Sequence, residues 1–315
     1  MSTINDVSRL ANVSKATVSR VLSGSRGVKE ESRLAVMKAV ETLNYKPNVI
    51  AQFLTAQSTG CVGVICATEH IQQTTSYLFA LEKQFSQHQK HLLLRFADNS
   101  VGVANAVAEL ANGLCDAIII IGARFPLPSP DENTIMIDCL ESSTPNSILF
   151  DHSFAAETAC HYLVSQGRRH IALLNHASGT VAEQTLLGYQ RALENYLIPY
   201  NRSLVMGNVH SSSEALQTLL NNGAQFNALL VMDEIEAQKA ISLLHVFKRT
   251  VPDKVMVFSL DGSVQLPGIP AVPAIEYSLE TLARKVVDLI DARAGKHVNP
   301  QVFRGNLVVP HGLIE

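Results

Sequence analysis

The chain has 315 residues, of which 47% are apolar and 17% charged. That supports two or three packed domains and excludes a disordered chain. The net charge of −3 is unevenly spread: residues 1–60 carry eight Lys/Arg against four acids, so a head of +4 precedes a remainder of −7. A small basic head on an acidic body points to a polyanionic partner for the head alone. Met1–Asp6 lacks the basic and apolar regions of a secretory signal, and apolar runs such as Ala117–Ile121 and Val255–Phe258 are strand-length. A cytoplasmic protein with no membrane association is expected. The five cysteines form no Cys-x-x-Cys, so reduced, mostly packed thiols are expected.

Thr3-Ile4-Asn5-Asp6 reads as a helix start, with Thr3 as cap and Asp6 returning the bond. Ile4, Val7, Leu10 and Ala11 follow at helical spacing until Asn12-Val13. Ser14 caps a second helix, Lys15–Leu22, whose apolar side is Val18, Val21 and Leu22 and whose free side is Lys15, Ala16, Ser19 and Arg20. A third helix is predicted over roughly Glu30–Asn44, with Val36, Val40 and Leu43 on one face. Two short helices joined tightly, then a third to cover them, is the helix-turn-helix plan. The small residues and Arg20 on the free side of the second helix suit a major groove.

Asp6-Val7, Ala11-x-Val13-Ser14-Lys15-Ala16-Thr17-Val18-Ser19-Arg20-Val21-Leu22, then Leu43-Asn44-Tyr45-x-Pro47-Asn48 and Ala51-x-x-Leu54, resemble the lactose-repressor/galactose-repressor family. The resemblance implies a homodimer that binds double-stranded DNA at a pseudo-palindromic operator. It places Lys15, Ala16 and Arg20 at base edges, and Ser14, Thr17 and Ser19 at phosphates. Arg20 can fork onto a guanine, and Ala16 offers a methyl or clearance.

Pro47 ends the third helix, and Asn48 can cap a short helix over Val49–Ala56, too short to hold alone in water. It is expected to fold on DNA, where the resemblance puts Ala51 and Leu54 in the minor groove. After Leu54 comes Thr55-Ala56-Gln57-Ser58, without the basic residue many relatives carry there.

From Cys61 about ten strand-length apolar runs alternate with helical patterns such as Phe154–Ser165 and Ala182–Asn195. This predicts an α/β body of two doubly wound parallel-sheet lobes, with a ligand at the carboxyl ends of the strands. The resemblance makes the body similar to periplasmic sugar-binding proteins. The expected organisation is a helix-turn-helix domain at 1–46, a hinge at 47–59, and an effector-binding and dimerisation body at 60–315. Lobe 1 takes about 60–152 and 276–298, and lobe 2 about 153–275 and 299–315. By family position Asp151, Thr185, Asp233 and Asp261 are the effector candidates. Thr185 stands where many relatives carry an Arg, and Asp233-Glu234 where they carry Asn-Asp or Asp-Asp. Losing that cation favours a small neutral sugar or glycoside over an anion. Gly167-Arg168-Arg169-His170, Leu187-Gly188-Tyr189 and Val251-Pro252-Asp253 are further family landmarks.

No Gly-x-Ser-x-Gly elbow or Gly-x-Gly-x-x-Gly turn occurs. His88 and His91 have no carboxylate or Cys nearby to complete a metal site. No catalytic residue, cofactor or metal is assigned. The reading is a DNA-binding transcriptional regulator, a repressor of a glycoside-utilisation operon. The alternatives are a cytosolic sugar-binding protein without regulatory role, and a DNA-binding regulator with a degenerate effector site.

Overall fold

The computed structural model describes residues 2–22, 27–45, 58–67, 71–127, 131, 133–140, 145–175, 177, 179–207, 212–262, 271–292 and 298–310. Asn48, Ala51, Leu54 and the short helix expected at Val49–Ala56 lie outside them. The chain divides into two compact units, Met1–Gly60 and Cys61–Glu315.

In the first unit, α1 spans Ile4–Leu10, α2 Lys15–Leu22 and α3 Glu30–Thr42. Both the backbone N–H and the hydroxyl of Thr3 donate to Asp6 Oδ2, at 2.9 and 2.8 Å, which seats the acid at the positive end of α1. Asn12 turns the chain with a φ of 50°, a left-handed conformation that Asn tolerates better than most residues. The turn is tied by Val13 N–H donating to Ser8 O at 3.1 Å and by Ser8 Oγ donating to Val13 O at 2.6 Å. Val7, Val18 and Val36, one from each helix, are all 0% exposed; Val21 and Ala39 complete the core. Leu10 leaves the expected apolar face and is exposed, while Val40 and Leu43 pack at the core's margin.

The second unit opens with β1 (Cys61–Cys66), α4 (Ile71–Gln87), β2 (His91–Phe96), α5 (Ser100–Ala111), β3 (Ala117–Ile121), β4 (Thr134–Ile137) and β5 (Ser147–Phe150). It continues with α6 (His152–Ser165), β6 (Ile171–Asn175), α7 (Gly179–Asn195), β7 (Val205–Gly207), α8 (Ser212–Asn221), β8 (Ala228–Val231) and α9 (Glu234–Val246). Then come β9 (Met256–Ser259), β10 (Ala274–Glu276), α10 (Leu279–Ala292), β11 (Gln301–Phe303) and β12 (Asn306–Val308). One sheet runs β11-β5-β4-β3-β1-β2 and the other β12-β10-β9-β8-β6-β7. All pairings are parallel except β12 on β10. The central strands β3, β4, β6, β8 and β9 are buried along their whole length, as strands covered on both faces must be.

The structure corrects one boundary. The sequence assigns all of 299–315 to lobe 2, but β11 adds to the open edge of β5 in lobe 1, and only β12 joins lobe 2. The chain thus crosses between lobes three times: after β5, after β10 and after β11. Each crossing contributes one aromatic ring. Phe150 and Tyr277 stack at 4.2 Å, and Phe303 lies 6.0 and 6.1 Å from them.

Two landmarks are explained by packing. Gly188 of α7 faces α6 so closely that a Cβ there would lie 2.0 Å from Ser153 O. Arg168 donates to Asp253 O and Pro252 O at 2.9 and 3.0 Å, joining the Gly167-Arg168 and Val251-Pro252-Asp253 segments.

Candidate functional site

In the first unit, α2 presents the residues the sequence singles out. Val18 and Val21 face the core, and helical geometry then turns Lys15, Ala16, Ser19 and Arg20 outward, where all four are exposed. Ser14 Oγ accepts the Thr17 N–H at 3.1 Å and lies 2.9 Å from the Thr17 hydroxyl, so Ser14 is the helix cap and Thr17 is half-buried behind it. The first turn of α2 holds no acid. Its backbone N–H groups and Lys15 therefore make a positive helix end suited to a phosphate.

In the second unit, the four effector candidates occupy different environments. Asp151 follows β5 and caps α6: Oδ1 accepts the Phe154 N–H at 3.0 Å, and Oδ2 accepts Arg304 Nε at 2.9 Å. The Arg304 guanidinium also lies 4.8 Å from the centre of the Phe154 ring. Each Asp151 oxygen thus accepts one bond that ties one lobe crossing to another, so this effector candidate is also a hinge residue. Asp233 is 7% exposed and caps α9, accepting the Glu236 N–H at 2.9 Å. Thr185 is 0% exposed, and its hydroxyl has no hydrogen-bond partner among the described residues. It lies inside lobe 2 and not on an open wall, because α7 turns its Val181–Thr185–Gly188 face inward.

Asp261 differs from these three. It stands just beyond β9, partly open to solvent, and among the described residues its carboxyl accepts no hydrogen bond. Burial first, then the charges of Asp138, Asp233 and Glu234, push that carboxyl up to about 8, with Arg124 opposing. Glu234 is also raised, by burial and by Asp233 and Glu276.

Facing Asp261 is a group the sequence reading did not select. Asp138 follows β4 with a φ of 49°. Arg124, three residues beyond β3, closes on it: Nη1 donates to Asp138 O at 2.5 Å and Nη2 to the carboxylate. His152 Nε2 lies 2.9 Å from the other carboxylate oxygen. Burial alone would raise the Asp138 carboxyl, but Arg124 and His152 hold it well below the usual range. The Tyr77 and Tyr277 hydroxyls border the cluster, both pushed up by burial and by the charges of Asp261 and Asp138. A signal for Asp138 was present: Ile135-Met136-Ile137-Asp138 is an apolar strand ending in an acid, like Phe150-Asp151 and Leu260-Asp261. Arg124 and Tyr277 had no comparable mark.

The arrangement is a binding junction. Carboxylates, an arginine and phenol hydroxyls meet where the carboxyl ends of parallel strands from two lobes converge, and aromatic rings brace the crossings. A three-helix head of helix-turn-helix plan on such a body defines a DNA-binding regulator with a sensor domain. The family model for bacterial regulatory proteins of the lacI family matches residues 3–48, and that for the periplasmic binding protein-like domain matches 160–312. The HTH-type transcriptional regulator GalR of Salmonella typhimurium (strain LT2) is 30% identical over 99% of this chain and 96% of its own. The lac repressor dimer, solved bound to operator and the anti-inducer ONPF, matches with a TM-score of 0.81 at 22% identity over 98% of each chain. A transcriptional regulator CelR–cellobiose complex matches with a TM-score of 0.65 at 20% identity, over 98% of this chain and 99% of that one. The chain belongs to the lacI family of bacterial regulatory proteins and is a helix-turn-helix transcriptional regulator. Among the described residues no helix is long and apolar enough to cross a membrane.

Proposed function

We infer that the protein is a cytoplasmic, homodimeric repressor of a carbohydrate-utilisation operon, bound to a pseudo-palindromic operator and controlled by a small sugar-like effector. The observation that carries the DNA half is the exposed Lys15, Ala16, Ser19 and Arg20 face of α2, set opposite buried Val18 and Val21. Arg20 and Lys15 read or approach base edges, Ala16 gives clearance, and Ser14, Thr17 and Ser19 serve the phosphate side. Asn48, Ala51 and Leu54 complete the DNA contact on the family motif alone, with Leu54 as the minor-groove wedge. The solved lac repressor dimer on its operator supports the dimeric arrangement, and the CelR–cellobiose complex supports a sugar ligand for a body of this fold. No catalytic role is assigned.

For the effector, Asp261 keeps the ligand-binding role, and Asp233 borders it as a cap. Asp138, Arg124 and Tyr277 join it as the opposite wall. Arg20→Ala should cost about 1–3 kcal/mol at the operator and flatten base preference at one position of each half-site. A binding-site selection in which the variant keeps the wild-type preference everywhere refutes the assignment. A regulator with a closed sensor is the second reading. It is favoured by the buried Thr185 and by the capping and ion-pair bonds of Asp151, and it predicts no thermal shift with any polyol.

A further inference from the structure

Resting on the effector-site reading above, we propose that the lobe junction takes a polyol bearing a protonated amine, its ammonium held by Asp261 and Glu234 and a neighbouring group bonded to the Tyr277 hydroxyl. Charge is distributed unevenly across the junction. On the lobe 1 side it is already balanced. Arg124 closes on Asp138 through Nη1 to the backbone oxygen and Nη2 to the carboxylate, and His152 takes the other carboxylate oxygen at 2.9 Å. That guanidinium is committed and offers little to an incoming anion.

The lobe 2 side is not balanced in this way. The turn after β9 brings Asp261 beside the opening of α9, so that a Cβ on Gly262 would stand 2.9 Å from Glu234 Oε2. Asp261 therefore faces the carboxyls of Glu234, Asp233 and, across the junction, Asp138, while the cation that reaches it is Arg124, already paired. Asp233 is held as the cap of α9. The raised Asp261 and Glu234 carboxyls follow from burial and from neighbouring negative charge that, among the described residues, has no counter-ion of its own.

A second, independent observation points to a ligand. Among the described residues the Tyr277 hydroxyl has no hydrogen-bond partner, although the residue is only 7% exposed. Tyr277 lies at the same cluster: it stacks on Phe150, which is 6.4 Å from the His152 ring that bonds Asp138, and two residues before it Ile275 O accepts the N–H of Gly262, the residue after Asp261, at 2.8 Å. Its ring is fixed by the stack on Phe150 at 4.2 Å, and it cannot swing away to find a partner. A buried phenol left unpaired is costly unless something bound supplies the bond.

An ammonium carries three donors and no acceptor. It answers two adjacent carboxyls at once, while a hydroxyl on the same ligand reaches Tyr277. A neutral sugar brings no positive charge to let Asp261 ionise beside Glu234, and a phosphorylated or carboxylated sugar adds negative charge to a junction already crowded with carboxyls. The proposal keeps the sugar-like class expected from the sequence but replaces its neutral effector with a cationic one.

The test is calorimetry on the full chain at neutral pH with amino and imino sugars of gluco and galacto configuration, their neutral parents, their N-acetyl forms and the sugar phosphates. At least one amine-bearing member should bind about tenfold or more tighter than both its parent and its N-acetyl form. Glu234→Gln should reduce that preference severalfold. Tyr277→Phe, which keeps the ring stack, should weaken binding of the amine-bearing member. Neutral parents that bind as tightly as their amines, or a sugar phosphate that binds best, overturn the charge assignment and leave the sensor reading standing. If no member binds while operator binding persists, the sensor reading itself fails, and this proposal with it.

Discussion

Replacing Asp261 by Asn should change how the protein's stability depends on pH. Burial and the charges of Asp138, Asp233 and Glu234 raise this carboxyl from an ordinary 3.8 to about 8 in the folded protein. The folded state therefore holds a proton that the unfolded chain has released, from about pH 4 to about pH 8. Stability must fall as pH rises through that window, because the unfolded state binds fewer protons there. The slope is about 1.4 kcal/mol per pH unit for one proton, or roughly 3–6 °C in Tm per pH unit for a body of this size. Asn cannot ionise, so the variant should gain on the wild type by that slope between about pH 5 and about pH 7.5, then run level with it above about pH 8. The chain contains no tryptophan, so far-UV circular dichroism in urea series at several pH values is the assay. The difference between the two proteins isolates Asp261 from every other titrating group. Parallel pH curves for wild type and variant would refute the raised carboxyl and the crowded junction that causes it.

Two further outcomes follow from the packing. Gly188→Ala places a methyl 2.0 Å from Ser153 O, a backbone atom that cannot rotate away. The α6–α7 contact must open, at a cost of about 1–3 kcal/mol or more, seen as a lower urea midpoint for the body; an unchanged midpoint contradicts the close helix approach. Ser14→Ala removes the acceptor for the Thr17 N–H and should lower the stability of the three-helix head by about 1 kcal/mol. Amide exchange over Lys15–Leu22 should report it, and protection equal to wild type would mean that Ser14 is not the working cap.

The three helices of the head were legible in the sequence, because their determinants are local. Thr3 and Asp6, the turn at Asn12, the Ser14 cap and the 3.6-residue spacing of Val18, Val21 and Leu22 act within one or two turns of chain. The longer strands of both sheets were legible for a related reason. A strand buried on both faces needs an unbroken apolar run, as in Ala117-Ile118-Ile119-Ile120-Ile121. The strands β10 and β11, three residues each, carry too little pattern to be seen. They exist because β9 and β5 offer open edges to them, and β11 changes lobes on that account.

The junction marks the other limit. Asp138, Asp151 and Asp261 each follow an apolar strand, and nothing local distinguishes them. Their fates differ through partners distant in sequence. Arg304, 153 residues away, closes Asp151 into the hinge. Arg124 and His152, each 14 residues away, close Asp138. Asp261 receives three neighbouring carboxyls and, among the described residues, no partner of its own. Sequence pattern could mark which residues stand at strand ends. Which of those acids is capped, which is paired and which is left for a ligand depends on charges and hydrogen bonds that come within reach only after the chain has crossed between the lobes three times.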